Sequence, residues 1–180
     1  MKKNICITGL LDNYSESITL KLAGELGVFF ANVFKLIQFD IVDVSSTIEI
    51  CGLDYYKVLV AKKLKELSKF DDVIVYSNYY YLQYRECRDI VKNNLITVYL
   101  DFGEENFERL LKLEKMTELE SKLARGTYKI KNKYFLKNSD IIIKCVDINI
   151  NNIVDQIKKS LIEYFKIGER KNAKRPKNRK

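Results

Sequence analysis

The chain has 180 residues, 47% of them hydrophobic and 31% charged, which suits one domain with a sizeable core rather than a disordered polymer. It contains no histidine, so a His general base, a Ser-His or Cys-His pair and a His-ligated zinc are all excluded. Its 32 Lys/Arg and 24 Asp/Glu give a net charge of +8, but residues 166–180 hold eight basic residues against one Glu, so they carry +7 and leave +1 for residues 1–165.

In chain order, Asn4 to Thr8 reads as a buried first strand, Gly9 as a turn, and SITLKLAGEL as an amphipathic helix. Ile18, Leu22 and Leu26 share one face of that helix, with Leu20 beside them, and Asn13 and Glu16 stand before it in capping-box spacing. Val28 to Phe30 suggests a second strand. DYYKVLVAKKLKELSKF follows as a helix with Lys62, Lys63 and Lys65 on its outer face. Asp72 to Ser77, Leu95 to Leu100 and Asp140 to Cys145 contain the runs DVIVYS, LITVYL and DIIIK, as expected for parallel strands buried on both faces. LQYRECRDIVKN and ENFERLLKLEKM supply helices between them, the second with Glu104, Glu105 and Glu108 at its start, where the macrodipole favours acids. NNIVDQIKKSLIEYF closes the domain. This alternation predicts an α/β three-layer sandwich with right-handed crossovers. No apolar run approaches the ~20 residues that span a bilayer, and ICITGLL is too short for a signal peptide. A cytoplasmic protein with no membrane partner is expected, its Cys6, Cys51, Cys87 and Cys145 reduced and in the core.

Several of these stretches, taken together, resemble the shikimate kinases, small P-loop kinases of the nucleoside-monophosphate-kinase type. The first strand and Gly9 lead to LAGELGVFF, similar to the family's Leu-Ala-x-x-Leu stretch and second strand. YRECRDIVKNNLITVYLD resembles its Arg-Glu-x-Arg helix and Val-Tyr-Leu strand, and KNKYFLKNSDIII resembles its Arg-Asn-Pro-Leu-Tyr segment and last strand. The resemblance spans most of residues 3–165. It implies a five-stranded parallel sheet in the order 2-3-1-4-5, in one domain of residues 1–165 followed by a tail of residues 166–180.

At the positions that carry the family's chemistry the residues differ. A phosphate loop reads G-x-x-x-x-G-K-[ST], in which backbone N–H groups cradle phosphates, Lys neutralises them and the hydroxyl holds Mg²⁺. Gly9 matches the first glycine, but Tyr14 replaces the second, Ser15 the lysine and Glu16 the hydroxyl residue, with Ser17 following. At ~4 Å a carboxylate repels phosphate by several kcal/mol in an effective dielectric of about 20. The resemblance places an Asp-x-Asp Mg²⁺ and shikimate site on Asn32 and Phe34, and a substrate arginine at about Asp54. It places a Gly-Gly-Gly loop on Asn78, Tyr79 and Tyr80, where tyrosines occupy space that glycines leave open. With Tyr81 and Tyr84 these tyrosines read either as a plug or as an aromatic platform for bases or a peptide. Lys131 keeps the charge of the last substrate arginine, while the lid between Glu114 and Lys131 is short and lacks the Arg-Pro-Leu-Leu stretch.

Together these changes predict a catalytically inactive protein that needs no cofactor. The alternatives are a shikimate-type kinase or a nucleotide-binding protein with an atypical loop, and Mg²⁺-ATP belongs to those alone. The last segment carries Arg170, Lys171, Lys174, Arg175, Lys177, Arg179 and Lys180, and the chain's one proline, Pro176. It reads as a disordered basic tail suited to the phosphates of RNA or the ribosome, which makes the whole an interaction module.

Overall fold

The computed structural model describes residues 4–173 apart from positions 42 and 115, with side chains described through Lys166. Five strands, β1 (Ile5–Gly9), β2 (Phe29–Asn32), β3 (Val73–Tyr76), β4 (Ile96–Asp101) and β5 (Ile141–Lys144), form one parallel sheet in the order 2-3-1-4-5. This is the expected architecture. Ile5–Ile7 lie opposite Ile74–Tyr76 on one side, and Ile5–Gly9 opposite Ile96–Leu100 on the other, so β1 sits in the middle and is buried throughout. β5 departs from expectation. As an edge strand it buries Ile141 and Ile143 and turns Ile142 and Lys144 outward, so DIIIK is covered on one face only.

Helices flank the sheet: α1 (Asp12–Leu26), α2 (Val33–Asp40), α3 (Val44–Cys51), α4 (Leu53–Leu67), α5 (Arg85–Asn94), α6 (Gly103–Leu113), α7 (Glu118–Asn138) and α8 (Ile150–Ala173). On α1, Ile18 and Leu22 are fully buried with Ser15, Thr19 and Ala23, but Leu20 and Leu26 are exposed. The stripe facing the sheet therefore contains two hydroxyls where the sequence suggested leucines. The helix also begins earlier than expected. Its N-cap is Leu11, which makes no side-chain cap, and Asn13 lies inside the first turn, so Asn13 and Glu16 form no capping box.

The segment read as a lid is a helix of 21 residues, α7, opened by a true capping box in which Thr117 and Glu120 satisfy each other's backbone N–H groups. It lies along β4 through Phe135, which stacks on Tyr99 with ring centroids 5.1 Å apart. Cys6, Cys87 and Cys145 are buried as expected, whereas Cys51 at the end of α3 is exposed. The last helix continues to Ala173, past the boundary drawn after residue 165. No helix among the described residues is long and apolar enough to cross a membrane.

Candidate functional site at the carboxyl end of the sheet

In parallel α/β sheets ligands bind beyond the carboxyl ends of the strands, and there β1 passes to α1 through two residues, Leu10 and Leu11. Both are buried. Residues 12–14, which belong to the wide phosphate-cradling curve in a G-x-x-x-x-G-K-[ST] loop, are already helical here. The Ser15 N–H, which such a curve would turn toward phosphate, is spent on a helix bond to the Leu11 carbonyl at 3.0 Å, and the N–H groups of residues 12–14 form the first turn of the helix.

Each residue of the altered loop has a structural occupation. A Cβ on Gly9 would collide with Ser15 Oγ and stand 3.2 Å from Ser15 Cβ, so this glycine lets α1 approach β1 closely. Ser15 is fully buried, and its hydroxyl has no hydrogen-bond partner among the described residues. Tyr14 packs edge-on against Phe102, with centroids 5.6 Å apart, and its hydroxyl donates to the carbonyl of Ile148 before α8. The ring thus ties the start of α1 to the loops that follow β4 and β5. Glu16 points sideways, accepting from Lys35 Nζ of α2 at 2.6 Å. Ser17 turns back to its own helix, donating to the Asn13 carbonyl at 2.8 Å.

At the carboxyl end of β1 stands Asp12, a half-buried residue whose importance the motif comparison does not reveal. Its carboxylate accepts from the Tyr76 hydroxyl at 2.7 Å and from the Asn78 side-chain amide. Burial raises its pKa above the usual carboxylate range, an effect opposed by those two hydrogen bonds and reinforced by the charge of Glu16. Glu114, at the end of α6, is raised too, first by burial and then by the charge of Asp12. Three acids therefore approach the place where a kinase would gather positive charge. A signal did exist in the sequence: Asp12 stands three residues after Gly9, inside the loop itself.

The tyrosine run is divided between core and surface. Asn78 holds the turn by accepting from the backbone N–H of Tyr80 at 2.6 Å. Tyr81 points inward, its hydroxyl 2.6 Å from that of Tyr56 on α4, and both residues are buried. Tyr79 is half-buried, whereas Tyr80 is 45% exposed and meets Tyr84 edge-on. Asn32 caps α2, accepting from the Lys35 backbone N–H at 3.1 Å, and Phe34 is 38% exposed on that helix. Asp54 is exposed and pairs with Lys57, whose ammonium lies 5.4 Å from the Tyr84 ring centroid. Lys131 is half-buried on α7, without an ion-pair partner among the described residues. Asp12, Tyr76, Asn78 and the loop residues thus form one site, while Asp54 and Lys131 are not joined to it by polar contacts. Arg170 and Lys171 lie on the backbone of α8, and Lys174, Arg175, Lys177, Arg179 and Lys180 fall outside the described residues.

Sheet order, the position of the first turn and the surrounding helices define the fold of the P-loop kinases. Within that class the chain has a shikimate-kinase-like fold. It superposes on shikimate kinase from Bacteroides thetaiotaomicron at a TM-score of 0.74 and 17% identity, covering 89% of this chain and 98% of that one. Shikimate kinase from Acinetobacter baumannii, in complex with shikimate, matches at a TM-score of 0.75 and 16% identity over 91% and 94% of the two chains. A gluconokinase from Sinorhizobium meliloti matches at 0.63 and 15% identity over 92% and 99%. No family model matches the sequence, and no curated protein matches it.

Proposed function

We propose that this protein is a non-catalytic relative of the shikimate-type kinases, an interaction module whose basic C-terminal segment contacts RNA. The observation that carries the first half is the two-residue turn after Gly9, with Tyr14 anchored on Phe102 and Ile148 where a phosphate loop would open. Phosphoryl transfer depends on positioning and charge neutralisation. Here the loop lysine position is a buried serine, and the neighbouring acids Asp12 and Glu16 are of the wrong sign for phosphate. The RNA half rests on the +7 of residues 166–180, which include no aromatic residue to stack on bases.

Millimolar Mg²⁺-ATP, Mg²⁺-ADP or shikimate should leave the melting temperature within ~1 °C of the free protein, since stabilisation requires ligand above its Kd. A rise of several degrees would overturn the inactive reading. Unstructured polyuridine should bind the full chain with an affinity that falls with salt, on a log–log slope near −3.5 if about five cations meet phosphates. The full-length variant K174Q/R175Q/K177Q/R179Q/K180Q should lose most of that affinity, and unchanged binding would exclude the tail.

A further inference from the structure

A second basic element lies within the folded body, on α7. From Ser121 to Asn138 it carries six Lys/Arg and no Asp/Glu, its two acids Glu118 and Glu120 being confined to the first turn. Without α7, residues 1–165 would hold 18 basic and 21 acidic residues, a net of −3, so the positive charge of the body is concentrated on this helix. Lys122, Arg125, Lys129, Lys133 and Lys137 recur at spacings of three and four, which places them in one row along about 22 Å at 1.5 Å per residue. All five are exposed.

Some lysines on other helices are held by acids, whereas Lys62, Lys65, Lys92, Lys112 and Lys159 are exposed without an ion pair among the described residues. Lys63 pairs with Asp40 and Glu66, Lys158 with Glu25 and Asp155, and Lys57 with Asp54. In the α7 row only Arg125 is so held, by a two-bonded pair with Glu108 at 2.7 and 2.8 Å. Among the described residues Lys122, Lys129, Lys133 and Lys137 have no ion-pair partner. Of these, Lys129 lies near enough to Glu108 of α6 to help Arg125 lower that acid's pKa, so the row is offset in part at its middle.

α7 ends at Asn138, three residues before β5, and α8 passes the same end of β5, where Tyr164 feels the charge of Asp140 in addition to its own burial.

We infer that the exposed lysine row of α7 is a second phosphate-backbone contact for single-stranded RNA, in addition to the C-terminal segment. This rests on the RNA reading above and extends it from the terminus to the folded surface. Regularly spaced cations match a polymer of regularly spaced phosphates, and the row presents no group that would select a base sequence. An anionic membrane is the competing surface, because Leu119, Leu123 and Ile130 are exposed on the adjoining flank. They are three separated side chains rather than a continuous apolar face, and the C-terminal segment adds nothing apolar after Ala173, so a nucleic acid fits better.

The test is salt-dependent binding of polyuridine to the full chain, to K122Q/K129Q/K133Q/K137Q, and to the five-fold tail variant given above. With four row contacts added to about five from the tail, the full chain should show a slope near −6.3 rather than −3.5; losing the four should flatten it by about 2.8 and lower affinity at least tenfold at low salt, equally for polyuridine and polyadenosine. An unchanged slope in the α7 variant alongside lost binding in the tail variant would overturn this inference and leave the RNA reading standing. Unchanged binding in both variants would overturn both. Stronger capture by phosphatidylserine vesicles than by polyuridine, lost in the α7 variant, would assign the row to a membrane surface and refute the nucleic-acid contact. Because only exposed lysines are changed, an unaltered denaturation midpoint will show that the variant is folded.

Discussion

The turn after β1 and the outer face of α7 put polar side chains to opposite uses. At the turn most polar groups are engaged within the protein, Asp12 by Tyr76 and Asn78, Glu16 by Lys35, Tyr14 by the Ile148 carbonyl and Tyr81 by Tyr56, while the buried Ser15 hydroxyl has no partner among the described residues. On α7, four exposed lysines make no ion pair among the described residues, although Lys129 feels the charge of Glu108. The first region occupies the place where this fold holds a ligand and is knit into the core. The second lies on the helix where the resemblance places the lid and Lys131, and its outer side carries a row of exposed positive charge. A buried polar network is retained because leaving a member unpaired is costly, whereas exposed charge is free to be used by a partner.

That contrast breaks most sharply at Ser15. Restoring the loop lysine with Ser15→Lys places a cation where no side-chain surface is exposed, so unfolding free energy should fall by about 3 kcal/mol, the scale of an uncompensated buried charge. Chemical denaturation measures this directly, and a variant that is equally stable and binds ATP would mean that the turn opens readily. Gly9→Ala should come next, losing about 1–3 kcal/mol because the added methyl meets Ser15 in a packed contact. Tyr81→Phe should cost about 1 kcal/mol by leaving the buried Tyr56 hydroxyl without its partner.

A subtler effect belongs to Asp12. Its folded pKa lies above the ordinary 3.8, so between those values the native state holds a proton that the unfolded state has released. The contribution of Asp12 to stability is therefore greatest below 3.8 and is lost as pH rises through the folded pKa. Relative to Asp12→Asn, which cannot titrate, wild-type stability should improve as pH is lowered from 7 towards 4, and urea midpoints for the pair at several pH values will show it. An opposite trend would mean that the hydrogen bonds from Tyr76 and Asn78 outweigh burial. Smallest of all is the effect of K122Q/K129Q/K133Q/K137Q, for which no change in denaturation midpoint is expected, since these side chains make no ion pair among the described residues. A clear destabilisation there would show α7 to be as tightly knit as the turn.

Much of the architecture is legible in the order of apolar runs. ICITG, VIVY and ITVYLD are buried strands because β-branched and aromatic residues with no charge inside the run satisfy a sheet covered on both sides. The replaced loop residues are equally plain, since a lysine or a glycine is either present at a position or not. Three helices are harder to read. α3 buries none of its side chains, α2 buries only Val33 and Ile37, and α7 buries only Tyr128 and Phe135 out of 21 residues. Apolar periodicity is weak where so little of a helix touches the core, although Thr117 and Glu120 mark the start of α7 for a reader of caps. Legibility therefore tracks burial. What the chain carries in its order of residues is the sheet, its strand sequence and the loss of the loop's phosphate chemistry, because these follow from local pattern and residue type. Tertiary structure alone decided that Gly9 serves close packing against Ser15, that Asp12 joins Tyr76 and Asn78 across more than sixty residues, and that five cations of α7 stand exposed while Tyr128 and Phe135 of the same helix turn to the core. Those are relations between distant segments, and they exist only once the sheet has brought the segments together.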